Sequence, residues 1–371
     1  MTLFRMFATL AFSASVLSAC GPQDPGSDVS RQFAKTGGYT EENSFTTMGG
    51  MIAGQVVTGL FYVTPASSGT TGWWIGIPGN NQYAEVTQIQ LNGAPIQALS
   101  SAQGFFQVER TDGVVQQLTG ANINLVLTVR GALSGKLRIV SSQDADSYGQ
   151  YVTEWAPLAH PTEWSTFCPH AYAGSDGTNM KPEFVIPVAG AYWQANGVRV
   201  PNGNAIQLSC THDSVGGCIR WGYEPWAAVS YMSGTPAKLT TTSLQAAHQA
   251  CTRMKRADFC GYGQSFTTVG VGDEAGQHTV IQLWDRYGIH RPEAQTGDSM
   301  EAHWDESGAT CLNRSKFRSD NETYGAHLDD DILRGCSLPD CTTSDTAAAG
   351  ALVSSGRPYY LDEAPSSDST N

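Results

Sequence analysis

Short apolar runs with turn residues between them dominate residues 51–145 of this 371-residue chain. Runs rich in β-branched and aromatic residues and bounded by turn residues are typical of strands. Asn92-Gly93 and Asp112-Gly113 lie between such runs and favour hairpins, because tight hairpin turns need positive φ. The pattern predicts an antiparallel β-sandwich or small barrel with strands at 56–63, 73–77, 83–91, 105–109, 123–129 and 136–140.

Beyond the polar segment 141–147, taken as a domain boundary at about 145, residues 146–343 are loop-rich, with one main helix. Thr242 and Gln245 form a capping-box pattern at the predicted start of this helix. Apolar residues then recur at three- and four-residue steps, and Gly261 can end the helix in a left-handed conformation. Two short apolar segments, 205–210 and 218–223, predict a hairpin pinned by Cys210–Cys218.

The expected fold is therefore mainly β with an α+β C-terminal region. The antiparallel β-sandwich or barrel is followed by a loop-rich, disulfide-stapled domain. Residues 21–50 are rich in Gly, Pro, Ser, Thr and Gln, which predicts a flexible tether. Residues 344–371 are small, polar and acidic, which predicts a disordered tail.

The first 20 residues have the layout of a signal peptide. Arg5 precedes an apolar run over 6–16, which is shorter than the roughly 20 residues of a spanning helix. The closing Leu17-Ser18-Ala19-Cys20 resembles a bacterial lipobox, which implies a lipid on Cys20 and attachment to a membrane. Gly21, rather than Asp, follows this cysteine, which resembles the sorting signal of outer-membrane lipoproteins. We therefore expect a lipid anchor in the outer membrane, with the body on its periplasmic or cell-surface face. The alternative is an ordinary cleaved signal.

The number of cysteines also indicates export, to a compartment where thiols oxidise. Nine are present, and removing Cys20 leaves an even set, which in an exported chain predicts a disulfide framework. No Cys-x-x-Cys pair occurs, which argues against zinc, and we expect neither a metal nor a cofactor. The predicted disulfide residues are Cys168, Cys210, Cys218, Cys251, Cys260, Cys311, Cys336 and Cys341.

Cys251 and Cys260 are expected not to bond to each other. On one continuous helix they would lie about 13.5 Å apart along the axis. A disulfide needs Cα atoms within about 7 Å. We therefore expect two other cysteines to staple this helix from two sides.

The net charge of −13 excludes one class of partner. An acidic chain repels phosphate backbones, so nucleic acid is not an expected ligand. Nine tryptophans offer surfaces for a protein or glycan ligand where they are exposed. The favoured alternative buries them beside the disulfides.

Several motifs in order resemble the ADYC domain, which is found in exported bacterial proteins. The central motif is Arg256-Ala257-Asp258-Phe259-Cys260-Gly261, with Phe259 where the family name has Tyr. The others are 217–226 (GCIRWGYEPW), 302–305 (AHWD) and 309–312 (ATCL). The resemblance covers roughly 150–320 and implies no activity for any residue, because the family has no known function.

Candidate chemistry is sparse. Asp258 falls on the apolar side of the predicted helix, where an unpaired carboxylate is costly, so we expect an Arg or a backbone amide as its partner. A cysteine–histidine enzyme using Cys251 and His248 is disfavoured, because Cys251 belongs to the even set. We therefore expect a non-enzymatic binding or structural module of the cell envelope. The alternative is a hydrolase whose acid and base groups are Asp258, His303 and Asp305.

Overall fold

The computed structural model describes residues 45–47, 61–65, 73–76, 83–131, 134–144, 147–168, 184–194, 196–211, 213–234, 236–263, 279–290, 300–313, 336–341, 351–356 and 359–360. Within these residues the chain forms antiparallel strands and two helices, α1 (Ser214–Arg220) and α2 (Gln245–Arg256). The expectation of a mainly β fold with an α+β C-terminal region is confirmed. The predicted signal peptide, with Cys20 at its end, and Gly21 lie outside the described residues.

The strands of the described residues are short, and most contain between three and ten residues. They are β1 (Phe45–Thr47), β2 (Phe61–Pro65), β3 (Trp73–Gly76), β4 (Tyr83–Leu91), β5 (Ala94–Ala102), β6 (Phe105–Arg110), β7 (Val115–Gln117), β8 (Leu125–Gly131), β9 (Gly135–Asp144), β10 (Gly149–Pro157), β11 (Ser165–Thr166), β12 (Val185–Trp193), β13 (Arg199–Cys210), β14 (Ala228–Ser233), β15 (Lys238–Ser243), β16 (Thr279–Asp285), β17 (Met300–Asp305), β18 (Gly308–Leu312), β19 (Val353–Gly356) and β20 (Tyr359–Tyr360).

Eight of these strands pair in a closed ring, in the order β2, β3, β4, β8, β9, β10, β12, β13 and back to β2. Every pair is antiparallel, as predicted, but β10, β12 and β13 lie beyond residue 145. The ring therefore includes more of the chain than the sandwich or small barrel predicted for residues 51–145. At Leu91 the strand β4 also pairs with β5, which begins the meander β5–β6–β7.

Alternation of apolar and polar side chains explains why these residues form the ring. Leu125, Leu127 and Val129 on β8 are at most 1% exposed, whereas the residues between them are partly exposed. Such a period of two places every second side chain in the core. The predicted turns are confirmed, since Asn92 and Gly93 have φ of 53° and 80° between β4 and β5, and Gly113 has φ of 80° between the paired strands β6 and β7.

The meander covers the core of the ring. Phe106 and Val108 of β6 are buried with the inward side chains of β8 and β9. The Tyr151 hydroxyl accepts from the Phe106 amide at 3.0 Å and donates to the Leu118 carbonyl at 2.8 Å. One buried side chain of β10 therefore fixes the meander by satisfying two of its backbone groups.

The polar segment 141–147 includes the last four residues of β9, which pair with β10. The same sheet continues through β12 to Cys210 at the end of β13. The predicted boundary at residue 145 therefore does not end the sheet.

A second sheet has the strand order β1-β16-β19-β17-β18, with β20 also pairing with β16. Its central strand β19 comes from the segment predicted as a disordered tail, and that prediction is wrong for residues 351–356. Val353 and Ser355 are fully buried there, and the Trp304 indole donates to the Ser355 hydroxyl at 2.8 Å. Strand β1 likewise falls within the predicted tether 21–50 and pairs with β16.

The two helices lie against both sheets. Residues of α1 pack on the outer side of β12 and β13, and α2 packs on β17, β18 and β19. Trp193 of β12 donates its indole N–H to Gln249 of α2 at 2.9 Å. Residues 205–210 are buried on both faces of β13, because the ring core covers one face and the helices cover the other.

Helix α2 differs from its prediction at both ends. Thr242 does not cap it, because Thr242 pairs with Val229 in the β14–β15 hairpin. The capping position is Leu244, whose side chain makes no cap bond. The helix ends at Ala257, whose φ of 54° places it in the left-handed region, and not at Gly261.

All eight predicted cysteines form disulfides, with the pairs Cys168–Cys210, Cys218–Cys251, Cys260–Cys336 and Cys311–Cys341. The prediction that Cys251 and Cys260 do not bond is confirmed. Its geometric premise is wrong, since Cys260 lies beyond the end of α2. The predicted Cys210–Cys218 hairpin is also wrong, because Asp213 caps α1 and residues 214–220 are helical.

His248 joins the two helices inside the core. It is fully buried, and its Nε2 lies 3.0 Å from the Val215 carbonyl, which fixes Nε2 as the donor of the neutral ring. Burial lowers the pKa of His248 to about 4, with a further lowering from Arg199 that the Val215 carbonyl opposes. Protonation would therefore place a charge in the interior.

This burial predicts a loss of stability in acid. The unfolded chain binds a proton at His248 near pH 6.5, whereas the folded chain binds it only near pH 4. Stability is therefore complete above pH 6.5 and falls by up to about 3 kcal/mol as the pH drops to 4. Urea unfolding across this range should show a flatter pH dependence for His248→Gln. The exposed control His160→Gln should match wild type, and equal slopes in all three proteins would contradict the prediction.

Candidate functional site

The C-terminal end of α2 contains a buried ion pair between Arg253 and Asp258, which are 4% and 1% exposed. The Arg253 guanidinium contacts the Asp258 carboxylate and donates to the Asn196 carbonyl at 3.1 Å. Its Nε also reaches the Glu306 carbonyl at 3.5 Å. One side chain therefore connects the end of α2 with the β12–β13 loop and the β17–β18 turn.

The partners predicted for Asp258 are both present. Besides Arg253, the Gly263 backbone amide donates to both carboxylate oxygens at 3.1 Å. Burial raises the pKa of Asp258, and Arg253, the Gly263 amide and Arg256 oppose that rise. The carboxylate thus has its hydrogen-bonding capacity used within the fold.

Two further cations of the last helical turn are buried. Lys255 donates to the Asp213 carbonyl at 2.8 Å and lies 5.0 Å from the centre of the Trp221 ring. Arg256 donates to the Gly263 carbonyl at 2.7 Å, and burial lowers the pKa of Arg256 to about 10. Backbone carbonyls stabilise both cations, and the Trp221 ring also stabilises Lys255. Both cations interact favourably with the dipole at the helix C terminus.

The signature segment, residues 256–261, joins α2 to the second sheet. Ala257 is fully buried in the left-handed conformation that ends the helix. The Phe259 ring lies 5.0 Å from the Trp304 ring, and its carbonyl accepts from the Ala309 amide at 2.8 Å. Cys260 bonds to Cys336. Each of these residues therefore has a structural contact.

Gly261 completes this segment. Its φ is +70°, and a Cβ built on it would lie 1.6 Å from the Ser307 carbonyl oxygen. Only glycine fits so close an approach of two backbones.

The other two candidate catalytic residues lie on β17 and have separate partners. His303 is 4% exposed, and its Nδ1 lies 2.6 Å from the Ser354 hydroxyl. Burial lowers the pKa of His303. Asp305 accepts from the Ser307 amide at 2.8 Å and from the Gly308 amide at 3.2 Å, which closes the β17–β18 turn.

The structure thus gives Asp258, His303 and Asp305 three different sets of partners. The hydrolase alternative requires these groups to face one pocket and to reach a substrate. Their contacts are instead an ion pair, a cross-strand hydrogen bond and a turn. This geometry favours a structural role for all three.

A partly buried carboxylate, Asp285, was not singled out by sequence reasoning. Asp285 accepts from the Tyr223 hydroxyl at 3.0 Å and from the amides of Tyr287, Ile289 and His290 at 2.7–3.2 Å. Burial raises the pKa of Tyr223 well above its usual range, and Asp285 adds to that rise. Nothing in the local sequence around Asp285 marks it, because its partners come from the following turn and from a distant segment.

Glu224, inside the second motif of the resemblance, is 4% exposed. It accepts from the Ser147 hydroxyl and from the Trp226 indole, the latter at 3.0 Å. Burial raises the pKa of Glu224, and both hydrogen bonds oppose the rise. The motif therefore ties the ring, through Ser147, to the segment between α1 and β14.

Most of the tryptophans described with their side chains are buried, among them Trp193, Trp221, Trp284 and Trp304. Trp164 is partly exposed and lies 4.0 Å from the guanidinium carbon of Arg138, which forms an ion pair with Glu154. The Trp73 and Trp74 side chains lie outside the described residues. The favoured expectation that the tryptophans are buried therefore holds for these four, Trp193, Trp221, Trp284 and Trp304.

No metal or membrane feature is evident in the described part of the chain. Among its residues, no three His, Cys, Asp or Glu side chains are grouped closely enough to hold a metal ion. Neither helix of that part has the length and apolar character needed to cross a membrane.

Removing Arg253 should leave Asp258 buried without its cation. We expect Arg253→Met to lower the free energy of unfolding by about 3–5 kcal/mol, measured by urea denaturation without reductant. Arg110 forms an exposed pair with Asp112, and Arg110→Met should cost less than about 1 kcal/mol. Equal losses in the two variants would contradict a central role for the buried pair.

Gly261→Ala tests the close approach in the signature segment. Gly93 also has positive φ, at +80°, but a Cβ there would meet no atom within 4 Å. We expect Gly93→Ala to cost about 1 kcal/mol through backbone strain alone. Gly261→Ala should cost several times more or prevent folding, because its methyl group overlaps the Ser307 carbonyl. Thermal unfolding of both variants gives the comparison, and similar costs would refute the steric argument.

Comparison with known protein families matches the ADYC domain over residues 115–318. The match begins at β7 and includes five of the eight ring strands, both helices and the signature segment. It extends further towards the N terminus than the motifs alone, which covered roughly 150–320. No curated protein and no solved structure matches the chain. Because the matched residues make up more than half of the chain, the protein belongs to the ADYC domain family.

Proposed function

We propose that this protein is an exported lipoprotein of the bacterial cell envelope, acylated at Cys20 and held at the outer membrane. Its body acts there as a non-enzymatic binding or structural module. The observation that carries the proposal is the pairing of all eight cysteines beyond Cys20 in four disulfides.

Disulfide pairing supports export because such bonds form and persist in oxidising compartments. Cys218, Cys251 and Cys311 are fully buried, so the bonds belong to the core. A reduced chain would lose staples that span 30 to 76 residues of sequence. The folded protein is therefore suited to the periplasm or the cell surface.

Cys20 supports the lipid anchor because the other eight cysteines pair with one another and because it ends the lipobox-like sequence. Export provides the compartment in which that residue is acylated. With an acyl chain on Cys20, the tether would link the body to the bilayer without a spanning helix.

The engagement of polar groups supports a binding or structural role. Arg253 holds Asp258, Ser354 holds His303, and Asp305 closes a turn. Catalysis by these groups would require breaking contacts that maintain the fold. A partner surface on the exterior of the molecule needs no such change.

Cys20→Ser tests the proposal in a Gram-negative host. Wild type should enter the detergent phase on phase separation, float with outer-membrane fractions and give an acylated N-terminal peptide by mass spectrometry. Cys20→Ser should lose the acyl group and the membrane attachment. The matched control Cys341→Ser should remain acylated, because it removes only the Cys311–Cys341 bond.

The opposite result is equally clear. Wild-type protein with Met1 intact, no acyl group and all nine thiols open to alkylation would refute both export and anchoring. Acylated protein found only in inner-membrane fractions would refute the outer-membrane address alone.

A further inference from the structure

The β14–β15 hairpin is a two-stranded sheet whose strands pair only with each other within the described residues. Its inner face is anchored in the core. Val229 is 1% exposed, and the Tyr231 ring lies 5.1 Å from the Tyr287 ring. The hairpin is thus firmly placed at its base while its far end is exposed.

The outer face of the hairpin carries no charged side chain. Because side chains alternate between the faces, Met232 lies on the face opposite Val229 and Tyr231. Met232 and Leu239 are directly opposite each other and are 50% and 57% exposed. Behind them the Ser230 and Thr241 hydroxyls are hydrogen-bonded at 2.7 Å. An apolar pair therefore forms the tip, with hydroxyl groups nearer the base.

The charge of this region differs from that of the rest of the chain. The chain holds 34 acidic residues and has a net charge of −13, yet no Asp or Glu occurs from Pro225 to Ala257. Lys238, next to Leu239, is the one charged residue of the hairpin. An anionic surface repels the acidic body of the protein, but it does not repel this tip, which has no acidic residue.

We propose that the hairpin tip docks on an anionic phospholipid surface. Met232 and Leu239 reach the boundary between headgroups and acyl chains. Lys238 pairs with Ser233 one step nearer the turn, on the other face of the tip, and its long side chain extends to the headgroups. The contact is shallow, because the unpaired edges of a two-stranded sheet cannot enter the hydrocarbon. It orients the body against the bilayer to which Cys20 tethers it, and in this respect it rests on the proposed function.

Size favours a lipid surface over a second copy of the chain. A stable protein interface buries about 800 Å² on each partner. Two side chains at a hairpin tip offer far less apolar surface than that. A membrane needs no such area, because the acyl group supplies most of the attachment.

Photo-crosslinking tests the contact in the full chain. A benzoylphenylalanine replaces Leu239 in one protein and Val115 in the other, and each is reconstituted in vesicles of phosphatidylethanolamine and phosphatidylglycerol. Val115 is a matched control, since it is 60% exposed near a hairpin turn but has Glu109 and Asp112 nearby. We expect at least about tenfold more lipid adduct at position 239.

Lys238→Glu in the position-239 protein should lower the adduct yield at least about fivefold, because it reverses the charge next to the crosslinker. Equal yields at 239 and 115, no lipid adduct at 239, or mainly crosslinked dimers would each overturn the inference. Mass spectrometry of the N-terminal peptide in the same sample reports acylation of Cys20 separately. A missing acyl group refutes the anchor and with it the docking that rests on it, whereas in acylated protein the adduct ratio decides the docking alone.

Discussion

The ion pair between Arg253 and Asp258 is the contact on which the second half of the fold depends. A buried charge is costly unless its partners are all in place. Arg253 meets carbonyls from the β12–β13 loop and the β17–β18 turn as well as the carboxylate. The ring, helix α2 and the second sheet must therefore reach their positions together for this pair to form. Such a requirement selects one arrangement of the layers over others that would bury similar apolar area.

The sequence predicted features that depend on local pattern. Runs of β-branched and aromatic residues located strands such as β4, Asn92-Gly93 marked a hairpin, and the apolar side of α2 implied a partner for Asp258. Features set by distant contacts escaped it. Thr242 looked like a helix cap, but pairing with Val229 keeps it in a strand. Eight cysteines allow about a hundred pairings, so their connectivity could not be read from spacing.

Small elements and small residues account for the other errors. Helix α1 has seven residues and two adjacent glycines, so its propensity is weak, and the Asp213 cap and the Cys218–Cys251 bond stabilise it. Strand β19 consists of one valine followed by small residues, yet it lies at the centre of a sheet because its neighbours bury it. For the candidate site, sequence reasoning singled out Asp258, His303 and Asp305 but could not show that their partners belong to the fold.

The signature of the family can be explained by packing alone. Ala257 ends a helix, Phe259 stacks near Trp304, Cys260 forms a disulfide and Gly261 admits a carbonyl. Phe259 packs there with its ring alone, so a tyrosine hydroxyl is not needed for this contact. A motif in which each residue has a structural contact is explained by the fold that the family shares.

Oxidation and the buried charges are coupled through position along the chain. Cys251 and Cys260 flank the segment that contains Arg253, Lys255, Arg256 and Asp258, and each is bonded to a different distant segment. Fixing both ends of this segment reduces the conformational freedom that would otherwise oppose the ordering of four charged side chains. The charged cluster can therefore assemble at lower entropic cost in the oxidised chain than in the reduced one. Oxidation therefore favours the native packing at the end of α2, where these charged side chains meet the ring and the second sheet.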